Sequence, residues 1–287
     1  MSNPTEFQSE GFIRDRIICY RNDFKAALKR TIKSLIERSA PTSSIKSRYS
    51  DRHAKNLVLQ ERLAVTAGAP SWFYTAFERG HTDPLTTFSL DWIKRAIPKD
   101  GRILVTGCGT GITAFHLADV GFKNIVGIDL LPECITVANR IKQEFGYAEN
   151  SFFADDCFHP TLTGAFEAIT VLHWIYSAWG GNYGNTAVED GKDPAVRERL
   201  LTSFLGTYTK HLNVGGLLFA ELVDAVADYR LASDHPRGEF SLGIYPVRFT
   251  PEQVQRCAAA TGLQVVDYKL CFSYGHQPRT THVLKKL

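Results

Sequence analysis

Three glycines that could bring a ligand against the backbone alternate with other residues in the segment 103–112, ILVTGCGTGI: Gly107, Gly109 and Gly111. An apolar run before them is typical of a buried strand, and the residues after them can open a helix. Glycine allows close approach of a ligand because it has no side chain, and a helix N-terminus favours negative groups. The glycines therefore predict a ligand site.

Two common phosphate-binding patterns do not fit these glycines. A dinucleotide-binding turn, G-x-G-x-x-G, would place its third glycine at position 112, which is Ile112. A P-loop needs a lysine directly after its last glycine, and Ile112 follows Gly111. The remaining pattern is G-x-G-x-G, which does not name a ligand by itself.

Carboxylates follow the next two apolar runs. VGID ends in Asp129, 22 residues after Gly107, and FFADDC contains Asp155 and Asp156. The chain continues with FEAITVLHWI, HLNVGGLLFAEL and RFTPEQVQRCAAATGLQVVDYKL. In this order and spacing the motifs resemble the class I S-adenosylmethionine-dependent methyltransferases, over roughly residues 85–287.

The resemblance implies S-adenosylmethionine as the cofactor. In that family the acid after the second strand accepts hydrogen bonds from both ribose hydroxyls, which here is Asp129, and an acid after the third lies near the adenine amino group, which is Asp156 or Asp155. Val105 stands where the family usually has an acid. The predicted cofactor-binding residues are Thr106, Gly107, Cys108, Gly109, Gly111, Asp129, Leu130, Asp155, Asp156, Cys157 and Leu172.

His173 lies at the end of the fourth predicted strand, where the resemblance places the reactive methyl group. A histidine there could take a proton from a hydroxyl or amine acceptor. The alternative is a histidine that only packs or hydrogen-bonds in the wall of the site. Aromatic residues that either contact the substrate or simply pack are Trp174, Tyr176, Trp179, Tyr183 and Tyr245.

The elements that must position these residues alternate between short apolar runs and amphipathic helices. Strands are predicted at 102–106, 124–129, 151–154, 168–172, 216–222, 263–272 and 281–285, and helices at 111–120, 132–145, 194–211 and 251–261. This alternation predicts an α/β fold: a doubly wound, mostly parallel, seven-stranded sheet. The last two strands have no helix between them and predict an antiparallel edge hairpin.

Two segments lie outside this alternation. An apolar stripe at helical spacing predicts a long helix at 13–35, and we interpret residues 1–84 as a helical N-terminal extension of a methyltransferase domain at 85–287. The second segment is an insertion at 177–193 after the fourth strand. A loop of this length is often functional, so the insertion is a candidate lid.

Composition narrows the class of protein. Hydrophobic residues make up 44% and charged residues 22%, as expected for a globular enzyme. Six scattered cysteines form no C-x-x-C pair, so neither a disulfide framework nor a metal site is predicted. The polar beginning of the sequence and the lack of long apolar runs predict a cytoplasmic protein without membrane contact.

We therefore predict transfer of a methyl group from S-adenosylmethionine to O, N or C of a small molecule. Methylation of nucleic acid or protein is the first alternative, since residues 1–60 contain twelve Lys and Arg against six Asp and Glu. Nucleic acid is the less favoured partner, because LHWI replaces the motif of base-amino methyltransferases. A non-catalytic cofactor-binding protein is the second alternative, suggested by Val105.

Overall fold

The structure is a computed structural model that describes residues 84–180, 188, 193–225, 247–273 and 277–287. The predicted helix at 13–35 lies outside these residues, as do Tyr183 and Tyr245. The division into an extension at 1–84 and a domain at 85–287 stays a prediction. So does the role of the insertion as a lid.

The described residues contain six helices and seven strands. In chain order they are α1 (Pro84–Ala96), β1 (Arg102–Thr106), α2 (Ile112–Asp119), β2 (Asn124–Asp129), α3 (Pro132–Phe145), β3 (Asn150–Ala154), β4 (Phe166–Val171), α4 (Ile175–Trp179), α5 (Pro194–Lys210), β5 (Leu212–Val223), α6 (Pro251–Ala260), β6 (Leu263–Ser273) and β7 (Gln277–Lys286).

The strands form a single seven-stranded sheet in the order β3-β2-β1-β4-β5-β7-β6. The first five pair in parallel, whereas β7 runs antiparallel to both β5 and β6. Thr106 pairs with Ile128 on one side and with Val171 on the other, so the carboxyl ends of β1, β2 and β4 meet at one edge. The predicted doubly wound sheet and its antiparallel hairpin are confirmed.

Both faces of the sheet are covered, as the unbroken apolar runs require. Successive residues of β1 point to opposite faces: Ile103 packs into the layer of α1, α2 and α3, and Leu104 into the layer of α4, α5 and α6. Val105, which occupies the usually acidic position, lies with Ile103 in the first layer and is buried. Its side chain is therefore part of the core.

The largest differences from the sequence prediction concern β5, β7 and a short helix. β5 begins at Leu212 rather than at 216, because the chain pairs with β4 on both sides of a bulge between Phe166 and Ala168. Gly215 and Gly216 read as a turn in the sequence but lie inside this bulged strand. β7 begins at Gln277, and residues 175–179 form a short helix that the sequence analysis did not predict.

A capping box fixes the start of α6. The Thr250 hydroxyl accepts the Gln253 N–H at 3.2 Å, and the Gln253 side chain accepts the Thr250 N–H at 3.0 Å. We expect Thr250→Ala to lower the free energy of unfolding by about 1 kcal/mol, the usual effect of losing such a cap. Urea unfolding followed by circular dichroism measures this change.

The matched control for this prediction is Thr136→Ala in the exposed face of α3. The Thr136 hydroxyl donates back to the Pro132 carbonyl inside its own helix, and alanine has the higher helix propensity. The control is expected to leave the unfolding midpoint unchanged or to raise it. An equal loss in both variants would show that the capping bonds contribute nothing specific.

Candidate functional site

The glycine turn between β1 and α2 lies at the edge where the parallel strands end. Its three glycines all have positive φ, +58° at Gly107, +53° at Gly109 and +92° at Gly111, a region that residues with a side chain rarely adopt. The turn is tied to β2 by a 2.9 Å bond from the Cys108 N–H to the Ile128 carbonyl. The backbone itself thus requires glycine at these positions.

Packing gives Gly107 and Gly111 a second reason to lack side chains. A Cβ on Gly107 would overlap the indole ring of Trp174, and one on Gly111 would lie 2.7 Å from the Phe115 ring and 2.9 Å from the Phe152 ring. The spacing that suggested a ligand is therefore partly explained by aromatic packing under the turn. Their assignment to the cofactor stays a prediction.

Asp129 ends β2 directly beside this turn. One carboxylate oxygen accepts the Gly109 N–H at 2.8 Å and the other accepts the Leu131 N–H at 3.0 Å. The residue is 9% exposed. Burial raises the pKa of the Asp129 carboxyl above its usual value, while the hydrogen bonds from Leu131, Gly109 and Leu130 work in the opposite direction. Each oxygen keeps a further lone pair that can accept a hydroxyl donor.

Leu130 follows Asp129 and turns outward. Its side chain is 44% exposed, whereas most large apolar residues of the sheet are buried. An exposed apolar side chain beside a buried carboxylate offers both contacts that a nucleoside needs, a flat apolar surface and an acceptor for hydroxyl groups. This pair supports the predicted cofactor position.

The two acids after β3 both fold back on their own loop. Asp155 accepts the N–H groups of Asp156 and Thr161, each at 2.9 Å. Asp156 accepts the Phe158 N–H at 2.8 Å and contacts the His159 ring nitrogen at 3.0 Å. The Asp156 side chain is 46% exposed, and that of its partner His159 is 83% exposed.

The predicted cysteines lie in the floor of the site. Cys157 Sγ accepts the Gly107 N–H at 3.2 Å. Burial raises the pKa of the Cys157 thiol to about 12 and that of the Cys108 thiol well above its usual value. Both thiols are therefore protonated at neutral pH and are poor nucleophiles. They brace the turn rather than react.

Thr106, Leu172 and Trp174 form a buried wall behind the turn. The Thr106 hydroxyl donates to the Thr170 carbonyl at 2.8 Å and accepts the Trp174 indole N–H at 3.0 Å. All three predicted residues are buried. The Thr106 hydroxyl thus holds the Trp174 ring against Gly107.

The predicted aromatic residues among those described make two kinds of contact, packing between rings and a hydrogen bond. Trp174 and Trp179 are buried and meet the rings of Phe158 and Phe204 at centroid distances of 5.2 to 6.5 Å. Tyr176 instead accepts a hydrogen bond from an arginine of β7, described next. Their assignment to the substrate stays a prediction.

His173 follows β4 with φ +69°, a positive value outside glycine. Its Nε2 lies 2.6 Å from the Thr86 hydroxyl of α1. Its Nδ1 lies 3.3 Å from Glu221 of β5 and 3.3 Å from Arg279 of β7. Arg279 also pairs with Glu221 and donates to the Tyr176 hydroxyl at 2.6 Å. The predicted role of His173 as a base is not tested by this geometry.

Sequence analysis did not find Thr86, Glu221 or Arg279. One signal was present: Glu221 is a charged residue inside the apolar run LLFAELV, and a buried charge needs a partner. The partner could not be identified because Arg279 follows 58 residues later.

The residues that the structure describes contain no group of three or more histidine, cysteine or acidic side chains placed to hold a metal ion. No helix among them has the length and apolar character needed to cross a membrane.

Comparison with known proteins places these features in a family. The family model described as a methyltransferase domain matches residues 78–268. The chain is 27% identical over 159 residues to EEF1A lysine methyltransferase 2 of Mus musculus, covering 52% of this chain and 61% of that protein. It is 30% identical over 99 residues to ribosomal protein L11 methyltransferase of Haemophilus influenzae (strain PittEE), covering 34% of this chain.

The chain spans 29% of the length of that ribosomal protein L11 methyltransferase. Among solved structures, the fold is similar to magnesium protoporphyrin IX methyltransferase of Synechocystis PCC 6803 with bound SAH. The TM-score is 0.54 at 12% identity, over 82% of this chain and 96% of that one. At this identity the likeness concerns the fold.

Proposed function

Because the chain belongs to the methyltransferase-domain family, we propose that it transfers a methyl group from S-adenosylmethionine to a small-molecule acceptor. Membership confirms the resemblance stated from the sequence. One observation carries the proposal beyond the family: the buried Asp129 carboxylate is fixed 2.8 Å from the Gly109 N–H at the edge where β1 and β2 end. That edge is the ligand-binding edge of doubly wound sheets.

The residues of this edge would hold the cofactor as follows. Asp129 accepts the ribose hydroxyls through the lone pairs that its loop bonds leave, and Leu130 packs against the adenine. The glycine turn lies along the amino-acid portion. Of the two acids after β3, we propose Asp156 for the adenine amino group, with 46% of its side chain exposed.

When bound, S-adenosylmethionine supplies a methyl group already activated by the positive sulfur. The protein's contribution is then to align an acceptor with that methyl group and to exclude water. The segment from Leu172 to Tyr176, which connects β4 to α4 and includes the start of α4, lies beside the glycine turn through the contact of Trp174 with Gly107. We propose that this segment forms the wall toward the acceptor.

Cofactor affinity is expected to fall on acidification, and earlier than with an ordinary aspartate. Because burial raises the pKa of Asp129, its carboxylate gains a proton at a higher pH and then accepts the ribose hydrogen bonds less strongly. A pKa raised in the folded state means that the folded protein binds this proton more tightly, so protonation of Asp129 does not itself destabilise the fold.

Calorimetry with S-adenosylhomocysteine at a series of decreasing pH values measures this effect. Asp129→Asn lacks the titrating group and serves as the control, with a weaker affinity that does not show the same decline. A parallel decline in both proteins would place the titrating group elsewhere.

A small acceptor is favoured over nucleic acid by the distribution of charge. The whole chain has a formal net charge of +3, but residues 1–60 contribute twelve basic against six acidic residues, +6, so residues 61–287 carry −3. Nucleic-acid binding relies on a basic surface around the site. The sheet that carries the site lies in the acidic part.

Methylation of a protein is the second candidate. It is favoured by the names of two similar proteins, ribosomal protein L11 methyltransferase and EEF1A lysine methyltransferase 2. The match to the second extends over 159 residues, about half of this chain. Both candidates, methylation of a small molecule and methylation of a protein, use the methyl-transfer chemistry that these similarities support.

One experiment separates the candidates. The full chain is incubated with methyl-labelled S-adenosylmethionine and a cell extract divided by size into small molecules, protein and nucleic acid. Label in the small-molecule fraction supports the first proposal, and protease-sensitive label in the large fraction supports the second. Heat of binding without label in any fraction would favour a cofactor-binding protein without transferase activity.

A further inference from the structure

Five polar side chains meet where β4 and β5 end, and we call them the polar cluster: Thr86, His173, Tyr176, Glu221 and Arg279. They come from α1, from the residues after β4, from α4, from β5 and from β7. All but His173 are buried, and 27% of the His173 side chain is exposed. The cluster therefore has one member that is open to the site.

The centre of the cluster is a buried ion pair. Glu221 is fully buried and the Arg279 side chain is 2% exposed. Apolar residues at such positions would commonly give equal or greater stability, because two charges must be taken out of water. Stability alone therefore does not explain this buried ion pair. The contacts of Glu221 and Arg279 with His173 indicate another role.

Glu221 holds the backbone of His173. The carboxylate oxygen that faces away from Arg279 accepts the His173 N–H at 3.1 Å. His173 has φ +69°, a conformation that costs free energy for a residue with a side chain and persists where the surroundings fix it. This hydrogen bond, charge-assisted and buried, supplies that constraint.

Arg279 holds the ring of His173. Its Nη1 forms a hydrogen bond with Nδ1 at 3.3 Å. A guanidinium has hydrogens to donate and no lone pair to accept with, so this contact requires a bare Nδ1, whereas the Glu221 oxygen at the same distance would accept a hydrogen from Nδ1. Nη1 carries two hydrogens and has three acceptors, Glu221, Tyr176 and His173. Two of these acceptors therefore share one hydrogen.

The other ring nitrogen then carries the hydrogen. Nε2 lies 2.6 Å from the Thr86 hydroxyl, which can accept as well as donate. A hydrogen on Nδ1 would instead face the positive Arg279, and Glu221 lies near Nδ1 with its charge already matched by that arginine. The contacts with Thr86 and Arg279 agree with the Nε2–H form, and only the contact with the charge-paired Glu221 favours the other form.

We propose that Arg279 is a positioning residue that holds His173 as the Nε2–H tautomer, so that the ring donates to the Thr86 hydroxyl and does not remove a proton from the acceptor. The role in methyl transfer rests on the proposed function, whereas the tautomer does not. Of the two roles considered from the sequence, the proposal adopts the histidine that hydrogen-bonds in the wall of the site.

An acceptor that is already unprotonated at neutral pH, such as a carboxylate, fits this proposal. In that transfer an oxygen lone pair forms the new O–C bond, the S–C bond breaks, and its electron pair stays on sulfur. No proton has to be removed, so no base is needed.

The tautomer can be measured without knowing the acceptor. The full chain is labelled with ¹⁵N-histidine, and long-range ¹H–¹⁵N spectra distinguish protonated from bare ring nitrogens. The signals of His173 among the nine histidines are those missing from His173→Asn, a substitution chosen because asparagine tolerates positive φ. We expect Nδ1 to appear bare and Nε2 protonated. The reverse assignment would overturn the proposal.

Two variants test whether Arg279 sets this form. Thr86→Val removes the hydroxyl and keeps the shape, so the Nε2–H form is expected to persist. A change to the Nδ1–H form would show that Thr86 sets the tautomer, against the proposal. Arg279→Lys loses the planar donor and is expected to lose the preference. If Arg279→Lys does not fold, the spectrum of Thr86→Val still shows whether the tautomer depends on Thr86, which would contradict the proposal.

Discussion

Asp129→Ala is expected to weaken binding of S-adenosylhomocysteine by about 100-fold or more. Hydrogen bonds to a charged group contribute about 1.5–3 kcal/mol each, and the proposed site makes two with the ribose. The variant also leaves the N–H groups of Gly109 and Leu131 without their acceptor, so the glycine turn loses its fixed position. Isothermal titration calorimetry measures the dissociation constant.

The control for this prediction is Asp156→Ala, in the loop after β3. Its carboxylate bonds within its own loop, so a loss of about 10-fold or less is expected, as for one exposed hydrogen bond. Circular dichroism and unfolding curves establish that both variants fold. Unchanged affinity in a folded Asp129→Ala protein would mean that the cofactor binds away from this edge.

Gly107→Ala is expected to cost about 3 kcal/mol of the free energy of unfolding. The added Cβ would overlap the Trp174 ring, and Gly107 has φ +58°. Overpacking a well-filled site costs about 1–3 kcal/mol, and a left-handed residue with a side chain costs about 1–2 kcal/mol more. Chemical unfolding followed by tryptophan fluorescence measures both the stability and the environment of Trp174.

Gly146→Ala separates the two contributions. Gly146, after α3, has φ +66°, nearly the value of Gly107, but nothing lies within 4 Å of the position of its Cβ. This variant is expected to lose only the backbone contribution, about 1–2 kcal/mol. Equal losses in the two variants would show that the contact with Trp174 is without consequence.

Much of the sheet could be predicted because the sequence pattern of a strand depends only on residues close together in the chain. β1, β2 and α3 begin and end where the sequence predicted, since apolar runs and amphipathic stripes depend on neighbouring residues. The predicted β5 was too short at its beginning, because Gly215 and Gly216 in the sequence are typical of a turn. A bulge against β4 keeps them in the strand, and that pairing involves residues about 45 positions earlier.

The site could be predicted only where the chemistry is local to one motif. The sequence indicated Asp129 and the glycine turn, which lie together as expected. It could not indicate that Trp174 packs on Gly107, because 67 residues separate them, or that Thr86 and Arg279 flank His173. Such contacts depend on how α1, β4 and β7 come together in space, which no spacing within a motif encodes.

The position of β7 in the sheet has a consequence for biosynthesis. β7 pairs with β5 on one side and β6 on the other, yet it follows both in the chain. On the ribosome, β5 and β6 therefore emerge with open edges, and Glu221 emerges before its arginine is available. Nascent chains at this stage expose unpaired backbone and an unmatched charge, so chaperone dependence is expected to be greatest just before β7 is released.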